Sequence, residues 1–328
     1  MLAMSMCYQS QTLLGCVSTP NLNRNPNHRY LFKSRSWKVL STPPPSVILN
    51  ADESGDFSKK LLSSNLVASG RNDPATPFGS QGTTVGIIGG MSVDATLKFL
   101  RKLVELSSQD GQSAIPFLLC SDPLLNKELL SYERSLESLK LDSSNIVQSL
   151  INKRIFLENS GASCIVMPCN VSHCWYEQVS KGCSVPFLHM AECVAKELKE
   201  AKLKPLEAGS PLRIGVLATN ATLAAGFYKE KLQNEGFEVV LPDRATMEHT
   251  VIPAIEALNR KDMEGTCNLL RIALQVLLVR AVNFIILASD EIRDVLPHDD
   301  PLLKKCVDPM DALARSTIRW VRSSEDNT

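Results

Sequence analysis

In the stretch ENSGASCIVMPCNVSHCWYEQ (residues 158–178), the apolar run Cys164-Ile165-Val166-Met167 stops at Pro168, and Cys169 stands where a polar cluster begins. A thiol there can be packing material, a metal ligand, a disulfide partner or a reacting atom. Cys164, Cys169 and Cys174 recur at intervals of five, a spacing foreign to zinc sites, whose ligands come in tight pairs. No Cys-x-x-Cys occurs among the ten cysteines, so no metal is expected. A disulfide framework is not expected either in a chain of 328 residues without a secretory leader. Cys164 and Cys183 read as small buried hydrophobes. Cys169 is different because of its position. A thiol titrates at about 8.5 and moves with its surroundings, so it can serve as base in one protonation state and as acid in the other.

The elements around it alternate. TTVGIIGG (83–90) reads as a buried strand closed by a glycine pair. SVDATLKFLRKLVELS (92–107) reads as a helix capped by Ser92, with Leu97, Leu100 and Val104 on one face. AIPFLLCS is the next strand, DSSNIVQSLINKRIFLENSG a helix ending at Gly161, and ASCIVMPCN the third strand. The layout then restarts at RIGVLATNATLAAGFYKEKLQNEG, and VNFIILASDEI repeats ASCIVMPCNVS, which sets Ser289 opposite Cys169 and Asp290 opposite Asn170. The expected fold class is therefore α/β: two pseudo-symmetric domains, each a parallel sheet flanked by helices, with the site in the cleft between them. The expected boundaries are residues 83–190 plus 307–328 for the first domain and 191–306 for the second. Ligands bind beyond the carboxyl ends of parallel strands. Gly89-Gly90-Met91, Cys120-Ser121, Cys169-Asn170, Thr219-Asn220 and Ser289-Asp290 all fall at such ends.

Charge balances at zero and no basic stripe stands out, so nucleic acid is not an expected partner. The most apolar run, LLRIALQVLLVRAVNFIIL, is interrupted by Arg271 and Arg280 and reads as a buried helix followed by a strand; no membrane span is expected. The first 51 residues contain no Asp or Glu and are rich in Ser, Thr, Asn and Pro, with scattered basic residues. That composition suggests an organellar transit peptide, for a chloroplast in preference to a mitochondrion, and residues 1–82 are expected to be transit peptide and disordered lead-in.

Taken in order, these segments resemble the aspartate/glutamate racemase family. GIIGGMSVDAT is similar to its Gly-Gly-Met-Gly-Pro-x-Ala-Thr opening and MPCNVSH to its Pro-Cys-Asn-Thr-Ala-His motif, while GVLATNATLAAGFY and CVDPMDALA match two further blocks. The resemblance covers roughly residues 83–320 and suggests a plant-type, organelle-targeted member. It implies amino-acid racemisation of the Asp/Glu type, without pyridoxal phosphate, metal or other cofactor, on a small acidic amino acid or dicarboxylate, in a homodimer. Two cysteines, one per half, work on opposite faces of the α-carbon in that family, and Cys169 matches the first. The second motif, Gly-Cys-Thr-Glu, reads Ala288-Ser289-Asp290-Glu291 here. Val171 also replaces a Thr, and the Arg expected after the second strand is missing, which leaves Lys127 nearby and Arg260 or Lys261 in the second half.

A hydroxyl is a poor base at neutral pH but a workable proton donor. The leading expectation is therefore Cys169 as base and Ser289 as donor, with Gly90, Met91, Asn170, Thr219, Lys127, Arg260 and Glu291 holding substrate. Asp290 could polarise Ser289, and would also repel an acidic substrate. Two alternatives stand beside it. One is a single-cysteine decarboxylase or isomerase of a small dicarboxylic acid. The other is a catalytically impaired relative that only binds ligand. Each supporting residue also has a plain structural reading: Asn170 and Thr219 as helix caps, His173 as a hydrogen-bonding residue, Gly89 and Gly90 as an ordinary strand-to-helix turn, Glu291 as an exposed acid at a helix start.

Overall fold

The computed structural model describes residues 83–108, 114–135, 142–205, 209–292 and 294–325; the leader expected over residues 1–82 lies outside them. The first sheet is built from β1 (Val85–Ile88), α1 (Val93–Ser108), β2 (Phe117–Cys120), α2 (Pro123–Arg134), α3 (Ser144–Asn159), β3 (Cys164–Val166), α4 (Tyr176–Ser180) and β4 (Phe187–Leu188). After α5 (Met190–Glu200) come β5 (Arg213–Ala218), α6 (Asn220–Ala225), α7 (Phe227–Asn234), β6 (Glu238–Val240), α8 (Arg244–Thr246), α9 (Ile252–Asn259), α10 (Met263–Val279), β7 (Phe284–Ala288) and β8 (Cys306–Val307). The closing helix is α11 (Pro309–Glu325). Both sheets have four strands, all parallel, in the orders β2-β1-β3-β4 and β6-β5-β7-β8.

The two orders are the same, and the pairing registers make the correspondence residue by residue. Gly86 lies opposite Ile165 in the first sheet and Gly215 opposite Ile285 in the second. Val166 pairs with Leu188, and Ile286 with Val307. Counting forward from these pairs, Cys169 and Ser289 occupy the same place beyond their strands, and so do Gly90 and Thr219.

Local chemistry sets the element ends. Ser92 Oγ accepts from the Ala95 N–H at 3.1 Å at the start of α1. Asp122 accepts from the Leu124 N–H at 2.9 Å, with Pro123 in the first turn of α2, where its missing donor costs nothing. Gly161 ends α3 at φ 91°, a left-handed conformation that suits glycine. The face of α1 differs from the sequence expectation. Its buried stripe is Ala95, Phe99, Leu103 and Ser107, while Leu97 is 55% and Val104 44% exposed. Both stripes are apolar at helical spacing, and only the placement of α11 and the sheet selects which one is covered.

One core runs through both sheets. Phe99, Val85, Val194, Ile214, Val216 and Leu313 are buried in a single cluster that gathers α1, α5, α11 and the central strands. Two further clusters lie outside it, one under α2 and α3 and one between α10 and β7. Each fully buried side chain of this size contributes about 1.5–3 kcal/mol. Among the described residues no helix is long and apolar enough to cross a membrane.

Gly86 lies where β1 packs closely against β3 and the turn that leads into it. A Cβ there would lie 2.7 Å from Ile165 Cδ1 and 2.8 Å from Ala162 Cβ. Gly86→Val is expected to destabilise the protein by about 1–3 kcal/mol through overpacking, read as a lowered urea midpoint with an unchanged m-value.

Candidate active site

The turn after β1 brings backbone against the thiol. A Cβ on Gly90 would stand 2.1 Å from Cys169 Cβ and 2.7 Å from its Sγ, so residue 90 must lack a side chain. The next amide, Met91 N–H, donates to Cys169 Sγ at 3.4 Å. Cys169 itself is 1% exposed. Burial, and then the charge of Asp290, push this thiol well above its ordinary pKa, against the opposing pull of hydrogen bonds from Met91 and Ser172. At neutral pH the group is therefore a neutral thiol.

Asn170 and Asp290 join the two strand ends. Asn170 Nδ2 donates to Asp290 Oδ1 at 2.7 Å, and Asn170 Oδ1 accepts from the Tyr228 hydroxyl at 2.7 Å. Asn170 therefore makes a side-chain bridge across the halves, and its side chain makes no cap bond to the following turn. Ser289, adjacent to Asp290, is 1% exposed, and its Oγ has no hydrogen-bond partner. A buried hydroxyl left unsatisfied is costly, as expected where a ligand atom completes the site.

Thr219 does not cap α6 either; its hydroxyl donates to Glu133 Oε1 at 2.7 Å. Glu133 was not anticipated from sequence. The signal was present: Leu125, Leu129, Tyr132 and Glu133 share the buried face of α2, so an acid sits at an apolar-face position. Its Oε2 is buried without a partner. Desolvation raises its pKa to about 7; the Thr219 bond opposes this, and the charges of Asp290 and Glu291 add to it.

A cleft of about 440 Å³ has Met91, Arg134, Asn259, Asp290 and Glu291 among its lining residues. Cys169, Ser289, Gly90, Asn170, Thr219 and Glu133 are not among them; Met91 and Asp290 are the chain neighbours of Gly90 and Ser289 that do line it. Glu291 accepts from Arg134 at 3.1 Å. Two basic residues expected to hold substrate lie outside this lining. Lys127 is exposed on α2 and is not among the lining residues; it shares a helix face with Leu130 and Arg134 but sits nearly two turns before Arg134, about 10 Å back along the axis. Arg260 is also exposed, outside the lining, 3.9 Å from Glu256 of its own helix. Arg134 and Lys98 are the cations in the wall. His173 is 2% exposed, its Nε2 lies 3.0 Å from the Met167 carbonyl, and burial drives its pKa well down. It is a neutral packing residue that braces the strand leading to Cys169.

Two titrations follow. Glu133 holds a folded-state pKa of about 7 against an ordinary 4.5. Its neutral form favours folding below pH 4.5, and that contribution is lost as pH rises through 7, reaching about 3 kcal/mol. Glu133→Gln is expected to gain stability relative to the unsubstituted protein between pH 5 and pH 8, measured by urea midpoints at both values. Asp290→Asn removes one cause of the raised thiol pKa, so the pH profile of Cys169 alkylation is expected to move to lower pH.

Residues 88–317 match the family described as Asp/Glu/hydantoin racemase. The broad specificity amino-acid racemase RacX of Bacillus subtilis is 24% identical over 241 residues, covering 71% of this chain and 96% of the relative. Among solved structures, the Picrophilus torridus aspartate racemase superposes with a TM-score of 0.57 at 26% identity, covering 74% of this chain and 95% of that one. An aspartate racemase homologue from Pyrococcus horikoshii gives 0.57 at 22% identity over 73% of this chain and 99% of its own. With the family match spanning both sheets and every strand-end turn of the site, the chain belongs to the Asp/Glu/hydantoin racemase family.

Proposed function

We propose that this protein racemises an amino acid by two-face proton transfer, with Cys169 as base and Ser289 as donor. The observation that carries the reading is the equivalence of positions: the strand registers set Cys169 and Ser289 at matching ends of two like sheets, with Asn170 and Asp290 bonded between them. Racemisation needs such a pair, one group on each side of the reacting carbon.

The chemistry follows from the surroundings. A substrate α-ammonium paired with Asp290 neutralises the charge that helps hold Cys169 protonated, so that as substrate enters the thiol gives its proton to water and becomes a thiolate. The thiolate then takes the α-proton, leaving its electron pair on the substrate as a carbanion stabilised by the adjacent carboxyl group. Ser289 gives its hydroxyl proton to the opposite face, and once product leaves and water enters, the proton on sulfur passes through that water to the serine alkoxide and resets the site. The Met91 N–H and the Asn170 amide are donors suited to the substrate carboxylate. Burial of both reacting groups excludes water, which strengthens each of these interactions.

A second reading has its own support. Ser289 Oγ contacts no base, which fits a reaction run from one face by Cys169 alone, such as decarboxylation or isomerisation of a small dicarboxylic acid. Import into a chloroplast and assembly as a homodimer accompany the proposal; organelle import of a tagged full-length chain and light scattering of the purified protein test them.

Cys169→Ala is expected to abolish deuterium incorporation at the substrate α-carbon in heavy water while circular dichroism stays native; unchanged incorporation removes the assignment. Ser289→Cys restores a second thiol and is expected to raise racemisation at least about tenfold, given that a thiol is far more acidic than a hydroxyl. Exchange without inversion in the unsubstituted protein supports the one-face reading instead.

A further inference from the structure

The family resemblance points to acidic substrates, but the charges in the cleft point the other way. Among the described residues, the lining carries four carboxylates, Asp94, Asp290, Glu291 and Asp294, against two cations, Lys98 and Arg134. Both cations are already engaged. Lys98 Nζ lies 2.6 Å from Asp94 and 2.9 Å from Asp294. Arg134 donates to Glu291 at 3.1 Å and to Asn259 at 2.7 Å. An incoming side-chain carboxylate would have to displace a carboxylate in place and would meet a negative wall. The two basic residues expected to receive such a group, Lys127 and Arg260, stand outside the lining. The negative field reaches behind the wall as well, because Asp290 and Glu291 help keep the Glu133 carboxyl protonated beside Thr219. Between the charges, Leu130, Leu258 and Met263 supply apolar surface for an aliphatic stem.

We propose that the cleft selects amino acids whose side chains end in a cation on an aliphatic stem, of the lysine or ornithine type, and discriminates against aspartate and glutamate. This rests on the racemase reading for its chemistry, but its selectivity is a property of the cleft charges alone. The α-ammonium and the side-chain cation both find carboxylates, and the α-carboxylate is left to the backbone and amide donors at the strand ends. Like charges brought together in a low-dielectric cleft are discriminated by about tenfold or more per unscreened charge.

The test uses the full chain in heavy water with L-lysine, L-ornithine, L-glutamine, L-aspartate and L-glutamate, scoring α-deuteration by NMR, with calorimetric binding of each amino acid in parallel at low and high salt. The expected result is a kcat/KM for lysine at least about tenfold above aspartate and glutamate, weakened by added salt. Glu291→Gln is expected to shrink that ratio several-fold. A preference for aspartate or glutamate, or equal treatment of lysine and glutamine, overturns the proposal and leaves the racemase reading standing. Tighter binding of lysine than aspartate without exchange of any amino acid supports the selectivity and overturns the racemase reading. Neither exchange nor a binding preference overturns both.

Discussion

Cys169 occupies the space into which any side chain at residue 90 would project, and the site is built on that contact. Because β1 and β3 are hydrogen-bonded neighbours in fixed register, the turn after one strand must pass directly over the residue that follows the other. Only glycine permits the approach, since a Cβ at residue 90 would fall 2.1 Å from that of Cys169. The close pass presents the Met91 amide to the sulfur and screens the thiol from water in one step. In the second half, the corresponding turn carries Thr219, whose hydroxyl reaches outward to Glu133. The two halves share a plan, yet their turns are specialised, one for backing a thiol and one for holding a carboxyl.

Electrostatics then divides the site into two layers. The deeper layer is nearly charge-free: a neutral thiol, a hydroxyl, and a Glu133 carboxyl that titrates near neutrality. The outer layer is dominated by carboxylates, and Asp290 lies at the boundary, bonded to Asn170 and acting on both Cys169 and Glu133. Desolvation alone would keep the sulfur protonated; the extra charge makes that preference sensitive to what occupies the cleft. A positively charged ligand group is the one kind that relieves both effects of Asp290, on the thiol and on the neighbouring carboxyl. The protonation of the thiol and the charge of the cleft wall therefore share one electrostatic element, Asp290.

Much of this was legible in the chain. Buried β-branched runs ended by small residues marked the strands, and the repeat of strand, turn and helix marked two like halves. The α1 face was misassigned because Leu97, Leu100 and Val104 make as good a stripe as Phe99 and Leu103, and a helix read in isolation does not know which side its neighbours cover. Lys127 is the basic residue nearest the second strand in sequence, whereas Leu130 and Arg134, farther along the same face of α2, are the ones that line the cleft. Glu133 escaped notice because an acid on an amphipathic helix ordinarily marks the solvent face.

The sequence by itself determined the secondary-structure order, the parallel α/β class, and the equivalent placement of Cys169 and Ser289 at two strand ends, because those depend on local periodicity, turn chemistry and an internal repeat. Tertiary structure alone decided that the thiol is sealed and protonated, that Asn170 binds Asp290 rather than capping a turn, and which charges line the cleft. Those outcomes depend on distances between residues far apart in the chain. Desolvation and Coulomb interactions take their size from such distances, and no local pattern encodes them.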